Sequence, residues 1–253
     1  MSADRGVPGT PRPAGIAGQT VVVIGASAGI GRETARQVRA GGGQVVLVGR
    51  NAERLQDAAR ELEPVATAAF DAGDTGRLLR FFEELPGPVD HVLLTAGSPA
   101  YMPLDGMDLA AATQAFAQRM SMTLAVALGS RDKVRAGGTL LFVGGTGGLR
   151  PGVGLSVMTA MTAALPALTA NLAVELAPIR ANLIAPGFVD TPLSASLLGD
   201  QLEQRREELR RTLPIRRVVG PEDVAALALH IMCNEALTGA TYAVDGGQQF
   251  VAP

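Results

Sequence analysis

The feature that most constrains the fold is a short apolar run followed at once by three closely spaced glycines. Residues 21–24 read Val-Val-Val-Ile, and residues 25–31 read Gly-Ala-Ser-Ala-Gly-Ile-Gly before a helical pattern that continues to Val38. A continuous apolar run of this length is typical of a strand buried on both faces of a parallel sheet. Glycines let the backbone turn sharply after such a strand, and the free N–H groups of the next helix can then face a pyrophosphate. The order strand, glycine loop, helix therefore predicts a dinucleotide site.

Apolar runs and helical patterns alternate along the rest of the chain. Their alternation predicts an α/β fold: one Rossmann-type, doubly wound domain with a seven-stranded parallel sheet flanked by helices. We expect this domain to span 19–253, because the Gly- and Pro-rich residues 1–18 are typical of a disordered lead-in. The predicted strands are 21–24, 44–48, 65–70, 89–94, 139–143, 181–184 and 240–244, and long helices are predicted at 108–135 and 155–177.

Composition narrows the possible partners. The net charge of −2 gives no general attraction to nucleic acid or to an anionic membrane. The apolar segment 155–177 contains Asn171, Glu175 and a proline, so we interpret it as a buried helix rather than a membrane span. A single cysteine, Cys233, favours the cytoplasm. Lys133 is the only lysine among 22 basic residues, a bias that indicates a GC-rich bacterial genome.

The end of the second predicted strand indicates which dinucleotide would bind. An acidic residue at this point would bind the ribose 2′-hydroxyl, but the chain has Arg50 followed by Asn51. A guanidinium favours a 2′-phosphate, so the sequence predicts NADP(H) as cofactor. The alternative is that Arg50 is an ordinary surface arginine.

Six motifs in the right order resemble the short-chain dehydrogenase/reductase family over about 19–250. They are the glycine loop, Asp71 with Ala72, the stretch Leu94-Thr95-Ala96-Gly97, the segment 186–192, the stretch 220–225, and Val244-Asp-Gly-Gly247. The resemblance implies an active site at the carboxyl ends of the strands, with 193–211 as a substrate lid. Together with the residues at the end of the second strand, the predicted cofactor-binding residues are Gly25, Ser27, Gly29, Ile30, Gly31, Arg50, Asn51, Asp71, Ala72, Ala96, Gly97, Thr162, Pro186, Gly187, Val189 and Thr191.

The same resemblance exposes a discrepancy in the chemistry. Such proteins use a Tyr as proton donor, a Lys four residues later, a Ser after the fifth strand and an Asn on the preceding helix. Counting back seventeen residues from Glu175 places the Tyr position at Met158 and the Lys position at Thr162. The Ser position falls thirteen residues before Met158, at Gly145, and the Asn position at Arg119 or a neighbour. We therefore predict that the usual tetrad is absent.

Three residues are candidates to replace it. Tyr101 follows the fourth strand and could overhang the nicotinamide, or it could be a surface aromatic. Thr146 could hold a carbonyl oxygen, or it could cap the loop after the fifth strand. Arg119 could place a positive charge near the ribose or a substrate anion, or it could be a solvated helix arginine.

The histidines, His91 and His230, are interpreted as structural, and the spacing of His, Cys and acidic residues predicts no metal site.

The sequence leaves three functions open. The first is an NADP(H)-dependent oxidoreductase with a non-standard active site, acting on a small carbonyl, enone or imine. The second is a non-redox enzyme on the same fold, such as a dehydratase, cyclase or isomerase. The third is a non-catalytic NADP(H)-binding protein. The intact segment 186–192 favours the first. The resemblance also implies a homodimer or homotetramer formed through the two long helices.

Overall fold

The computed structural model describes residues 15–149 and 151–251. A seven-stranded parallel sheet forms its centre, in the order β3-β2-β1-β4-β5-β6-β7, which confirms the predicted fold class. The strands are β1 Thr20–Ile24, β2 Gln44–Gly49, β3 Ala66–Ala69, β4 Val89–Leu94, β5 Val134–Val143, β6 Arg180–Pro186 and β7 Thr241–Val244. The helices are α1 Gly29–Ala40, α2 Ala52–Leu62, α3 Thr75–Glu84, α4 Leu109–Ser130, α5 Ser156–Glu175, α6 Pro192–Leu198, α7 Leu202–Thr212 and α8 Pro221–Cys233.

Each face of the sheet carries its own hydrophobic core, because successive strand residues point to opposite faces. Val22 and Ile24 of β1 pack into the core beneath α3, α4 and α5. Val21 and Val23 pack into the core beneath α1, α2 and α8. All four side chains are fully buried, and burial of each such side chain stabilises the fold by about 1.5–3 kcal/mol. This two-sided burial explains the continuous apolar run in the sequence.

Arg180, at the start of β6, connects this strand to other elements of the fold through hydrogen bonds. Its buried guanidinium donates hydrogen bonds to the backbone oxygens of Gly137, Ile231, Leu237 and Met232, at 2.8–3.1 Å. Two of these carbonyls lie in the last turn of α8, where helical N–H partners are missing. Arg180 thus joins the end of α8 to β6, the strand beside the edge strand β7.

The prediction of one helix over 108–135 is wrong at its end. The helix stops at Ser130, and β5 already begins at Val134. The N–H of Lys133 bonds to the carbonyl of Ser130, and the Lys133 carbonyl accepts the N–H of Val89. Pairing with β4 therefore outweighs the helical composition of this segment. The lid segment 193–211 is also more helical than predicted, since it contains most of both α6 and α7.

Of the predicted lead-in, the structure describes residues 15–18. Residues 1–14 lie outside the described residues. Residues 15–18 differ from the prediction, because they form a turn in which Ile16 is buried against the core beneath α1. Ile16 lies against Gly41 and Gly43 after α1, where a larger side chain would collide with it or its carbonyl.

The prediction that 155–177 is a buried helix is also wrong in part. Within the described residues, α5 is the helix long and apolar enough to cross a membrane by length and composition, with a mean hydropathy of 1.5. Only 28% of its most apolar window is buried within the chain. One side of α5, including Met161 and Leu165, packs on the sheet. Its other side presents small apolar residues and Val174 outward.

Candidate functional site

A cleft of about 640 Å³ opens at the carboxyl edge of the sheet. It lies where the strand order reverses: β1 leads through β2 to β3 on one side, and β4 leads to β7 on the other. Doubly wound sheets bind ligands at this point, because the loops there diverge and leave a crevice. The ends of β1 to β4, together with parts of α4, α5 and α6, line the cleft.

The glycine loop is shaped for close approach of a ligand to its backbone. Gly25 and Gly29 have φ angles of +100° and +55°, which are strained for other residues. A Cβ on Gly31 would lie 2.3 Å from the carbonyl oxygen of Gly25, so no side chain fits there. Ala28 precedes α1 and offers no side-chain cap to the first N–H groups of the helix. These N–H groups suit the phosphates of a dinucleotide.

Thr95, which belongs to the motif stretch Leu94-Thr95-Ala96-Gly97, fixes this loop in place. Its hydroxyl lies 3.1 Å from the carbonyl oxygen of Ile24 and 3.2 Å from that of Gly25. A Cβ on Gly25 or Gly31 would approach the same hydroxyl to within 2.7 Å or less. The threonine therefore connects the end of β4 to the loop, and it explains why two of the glycines are needed.

The other end of the cleft, beside β2 and β3, is where the sequence predicts the adenosine ribose. Arg50, Asn51 and Asp71 line it, together with Arg54, which the sequence motifs did not single out. The Asn51 side chain accepts the N–H of Arg54 and caps α2, and Asp71 accepts the N–H of Gly73. Both arginines are exposed. The four-residue spacing of Arg50 and Arg54 is the signal that could have identified the second one.

Segment 186–192 forms a braced turn between β6 and α6. The N–H of Phe188 donates to Oε1 of Gln248, and the N–H of Gly187 bonds to the Val244 carbonyl. Thr191 caps α6 through its hydroxyl, 3.3 Å from the N–H of Ser194, and a Cβ on Gly29 would lie 3.4 Å from its side chain. From this region the cleft is lined by Pro192, Leu193 and Ser196 of α6. The cofactor contacts predicted for Pro186, Val189 and Thr191 remain predictions.

A bidentate ion pair connects this turn to the predicted lid. Arg206 of α7 donates from Nε and Nη2 to the two carboxylate oxygens of Asp190, at 2.9 and 2.7 Å. Hydrogen bonds to Asp190 and then to Glu203 raise the pKa of Arg206 above its usual value. The charges of α7 are therefore partly used to dock the helix, and partly paired along its own surface.

The positions assigned by count to the catalytic Ser and Lys do lie together. A Cβ built on Gly145 would be 3.7 Å from Cγ2 of Thr162 and 3.6 Å from the Pro186 carbonyl oxygen. Thr162 is buried, and its hydroxyl bonds to the carbonyls of Met158 and Thr159, at 3.0 and 3.1 Å. Such bonding to the preceding helical turn is the usual use of a mid-helix threonine. The cofactor contact predicted for Thr162 is not tested by these distances.

Arg119 is not the solvated arginine of the alternative interpretation. Its half-buried side chain lines the cleft and reaches the ends of two strands. Nη1 donates to the carbonyl of Ala96 at 3.0 Å, and Nη2 donates to the carbonyl of Val143. Burial lowers the pKa of Arg119 to about 10, which leaves it charged at neutral pH.

The other two catalytic candidates, Tyr101 and Thr146, differ in their exposure to solvent. Tyr101 is 56% exposed and lines the cleft on the loop after β4, beside Met102. Thr146 is buried, and its hydroxyl lies 3.5 Å from the Pro186 carbonyl oxygen, a long hydrogen bond that braces the loop after β5. The arrangement favours Tyr101 over Thr146 as a group that can reach a ligand.

The remaining titratable candidates lie away from the cleft. His91 is buried, with Nε2 2.5 Å from Oε1 of Gln19 and Nδ1 accepting the N–H of Thr139. Lys133 lies at the opposite edge of the sheet, where its Nζ bonds to the carbonyls of Glu83 and Leu85. His230 lies on α8 near Asn234. Among the described residues, no group of three or more His, Cys, Asp or Glu could hold a metal ion.

Comparisons with known proteins agree with this architecture. The family model described as enoyl-(acyl carrier protein) reductase matches residues 25–249. The short-chain dehydrogenase/reductase malC of Malbranchea aurantiaca is 27% identical over 91% of this chain and 94% of its own length. A solved short-chain dehydrogenase/reductase family protein is 30% identical, with a TM-score of 0.82 over 93% of this chain and 99% of its own. A small-chain dehydrogenase solved with NADPH is 26% identical, with a TM-score of 0.78 over 92% and 99%.

Proposed function

The chain belongs to the short-chain dehydrogenase/reductase family, and we propose that it is an NADP(H)-dependent oxidoreductase with a non-standard active site. Its substrate would be a small carbonyl, enone or imine. The observation that carries this proposal is the cleft itself, which combines the glycine loop with two cationic side chains at its adenosine end. When bound, the cofactor would supply or accept hydride, and the protein would provide binding, orientation and electrostatics.

Arg50 and Arg54 support NADP(H) over NAD(H). Both line the cleft beside β2, and neither is paired with a carboxylate among the described residues. A 2′-phosphate there would meet two cations, whereas an unphosphorylated ribose would leave both unmatched. Asp71, which also lines this end, would hydrogen-bond the adenine, as the family resemblance implies.

The non-standard character rests on the side chains at the predicted tetrad positions. Met158, Thr162 and Gly145 offer no group that gives up a proton near neutral pH. Loss of a general acid slows catalysis by about 10²–10⁴-fold, which a slow reaction on an activated substrate tolerates. The proton would then come from solvent or from Tyr101, the exposed hydroxyl on the cleft wall.

Changing Tyr101 to Phe tests its role directly. If its hydroxyl is the proton donor, we expect kcat to fall by about 10²-fold with little change in cofactor affinity, because the ring remains and only the donor is lost. Steady-state kinetics on the first substrate found would measure this. Tyr242→Phe in β7 is the matched control and should leave kcat unchanged. An unchanged rate in Tyr101→Phe would identify Tyr101 as a surface aromatic.

A substrate panel tests the proposed function as a whole. Purified protein with NADPH is mixed with aldehydes, ketones, enones and cyclic imines, and the near-ultraviolet absorbance of the reduced nicotinamide is followed. We expect cofactor oxidation with at least one class. NADPH binding without oxidation across the panel would favour the non-redox or non-catalytic alternatives. Substrate consumption with no change in the cofactor would favour a non-redox enzyme.

We also propose a homodimer or homotetramer that buries the outer faces of α4 and α5. Leu124 and Leu128 of α4 are 48% and 64% exposed, and Val174 of α5 is 77% exposed. Apolar helix faces of this kind are typical of subunit interfaces. Sedimentation should give a dimer or tetramer, and Leu128→Arg should shift it toward monomer, whereas Val65→Arg before β3 should not. A monomeric wild-type protein would contradict the proposal.

A further inference from the structure

Arg119 is a cation without a carboxylate partner among the described residues. Ten other arginine–carboxylate pairs are formed elsewhere in the described chain, including Arg206 with Asp190 and Arg217 with Asp223. The contacts of the Arg119 guanidinium are instead two neutral backbone carbonyls. A half-buried charge with no counterion is costly, which is why burial lowers its pKa. Its place in the cleft indicates that the missing counterion is a ligand.

The two carbonyls hold the guanidinium in one position. The Ala96 carbonyl lies just beyond β4 and the Val143 carbonyl ends β5, so Arg119 spans neighbouring strand ends. A Cβ on Gly97 would lie 2.7 Å from Nη1, so this glycine leaves room for the guanidinium. Arginine has five N–H donors and two are used here, which leaves three for a ligand. The group is therefore fixed before any ligand binds.

The cleft that Arg119 lines also offers apolar surface. Met122 and Met161 line it and are buried, and Met102 and Ala115 add further apolar surface. Hydrogen bonds from a charged guanidinium to an anion are stronger than those between neutral groups. Methionine side chains also adapt their shape to a bound apolar group. A ligand suited to this wall has an apolar body and one anionic oxygen group.

We propose that Arg119 forms a subsite for an anionic oxygen on a small, apolar substrate, beside the ends of β4 and β5. This subsite would define one feature of the substrate of the proposed oxidoreductase. The inference rests on that proposed function, because the bound ligand is taken to be the substrate. The anionic oxygen could be a carboxylate that the substrate carries, or an oxyanion that forms at its reacting carbonyl. In both cases Arg119 binds negative charge and donates hydrogen bonds without giving up its proton.

The first test compares two probes of the same shape and different charge. Benzoate carries an anionic oxygen pair, and benzamide is its neutral counterpart. Calorimetry on the wild-type protein, alone and with saturating NADP⁺, should show benzoate binding about tenfold or more tightly than benzamide. Equal affinity of the two probes, or no benzoate binding at millimolar concentration, would overturn the proposal without any variant.

Variants then test whether the charge of Arg119 causes the preference for benzoate over benzamide. Arg119→Met should remove the preference for benzoate, and Arg119→Lys should keep part of it. The matched control is Arg39→Met, because Arg39 is also half-buried and bonds to two backbone carbonyls, those of Leu62 and Gly43, away from the cleft. This variant should bind benzoate like the wild type. A folded Arg119→Met protein that keeps the full preference would overturn the proposal.

Kinetics distinguish the two sources of the anionic oxygen. Phenylpyruvate carries a carboxylate beside its ketone, and phenylacetone carries only the ketone. An Arg119→Met effect confined to the KM for phenylpyruvate identifies a carried carboxylate, and a lower kcat for phenylacetone identifies an oxyanion formed in the reaction. If neither ketone is reduced, the benzoate result still decides the role of Arg119, and only the oxidoreductase proposal is weakened.

Discussion

Changing Arg50 to Asp should lower the affinity for NADPH by about 100-fold and leave the affinity for NADH unchanged or improved. The substitution removes a cation from the cleft beside β2 and adds an anion that would repel a 2′-phosphate. The same carboxylate can accept a hydrogen bond from an unphosphorylated ribose. Fluorescence titration with both cofactors measures the ratio of the two dissociation constants, which is less sensitive to general damage than either constant alone.

Two further variants test whether the change in cofactor preference is specific to the arginines that line the cleft. Arg54→Ser should lower NADPH affinity by a smaller factor, because Arg54 is a second cation at the same end of the cleft. Arg60→Asp on the same helix provides the control, since Arg60 is exposed and pairs with Asp57. That change should leave the cofactor preference intact. If Arg50→Asp also leaves the preference intact, then Arg50 is only a surface arginine.

Replacing Arg180 by Met should lower the free energy of unfolding by about 3–5 kcal/mol. The variant would remove the guanidinium donor from the carbonyls of Gly137, Ile231, Met232 and Leu237, of which Leu237 keeps a second donor, Nδ2 of Asn182. Each buried polar group that loses its partner costs about 1–3 kcal/mol, and rearrangement or entry of water recovers part of the sum. Denaturant unfolding followed by circular dichroism gives the difference.

Two comparisons test whether the lost hydrogen bonds of Arg180 cause the decrease in the free energy of unfolding. Arg180→Lys should lose less than Arg180→Met, because an ammonium group can still donate to some of the same carbonyls. Arg217→Met, which breaks the partly exposed pair with Asp223, should cost less than about 1 kcal/mol. A loss below about 1 kcal/mol for Arg180→Met would show that the carbonyls find other partners.

The fold was predictable because its strands are buried on both faces. Val21 to Ile24 must be apolar at every position, since alternate residues enter different cores. Position 31 must be a glycine, because a Cβ there would collide with the carbonyl of Gly25. This packing requirement makes the glycine motif recognisable in a single sequence. The positions assigned by counting also lie close together, since a Cβ on Gly145 would be 3.7 Å from Cγ2 of Thr162.

Other features depend on contacts between distant residues, and the sequence could not supply them. The end of α4 at Ser130 depends on the pairing of Val89 with β5. The role of Thr95 depends on its approach to Gly25, seventy residues earlier in the chain. The position of Arg119 depends on two carbonyls, one just beyond β4 and one at the end of β5. Periodicity reports which face of an element is buried, and it does not report which polar group lies opposite.

The most direct test of the central claim is an equilibrium titration of the purified wild-type protein with NADPH and with NADH. We predict saturable binding of one cofactor molecule per chain, with NADPH bound at least about tenfold more tightly than NADH, because two arginines face the predicted 2′-phosphate. Absence of saturable binding by either cofactor would contradict the assignment of the cleft as a dinucleotide site.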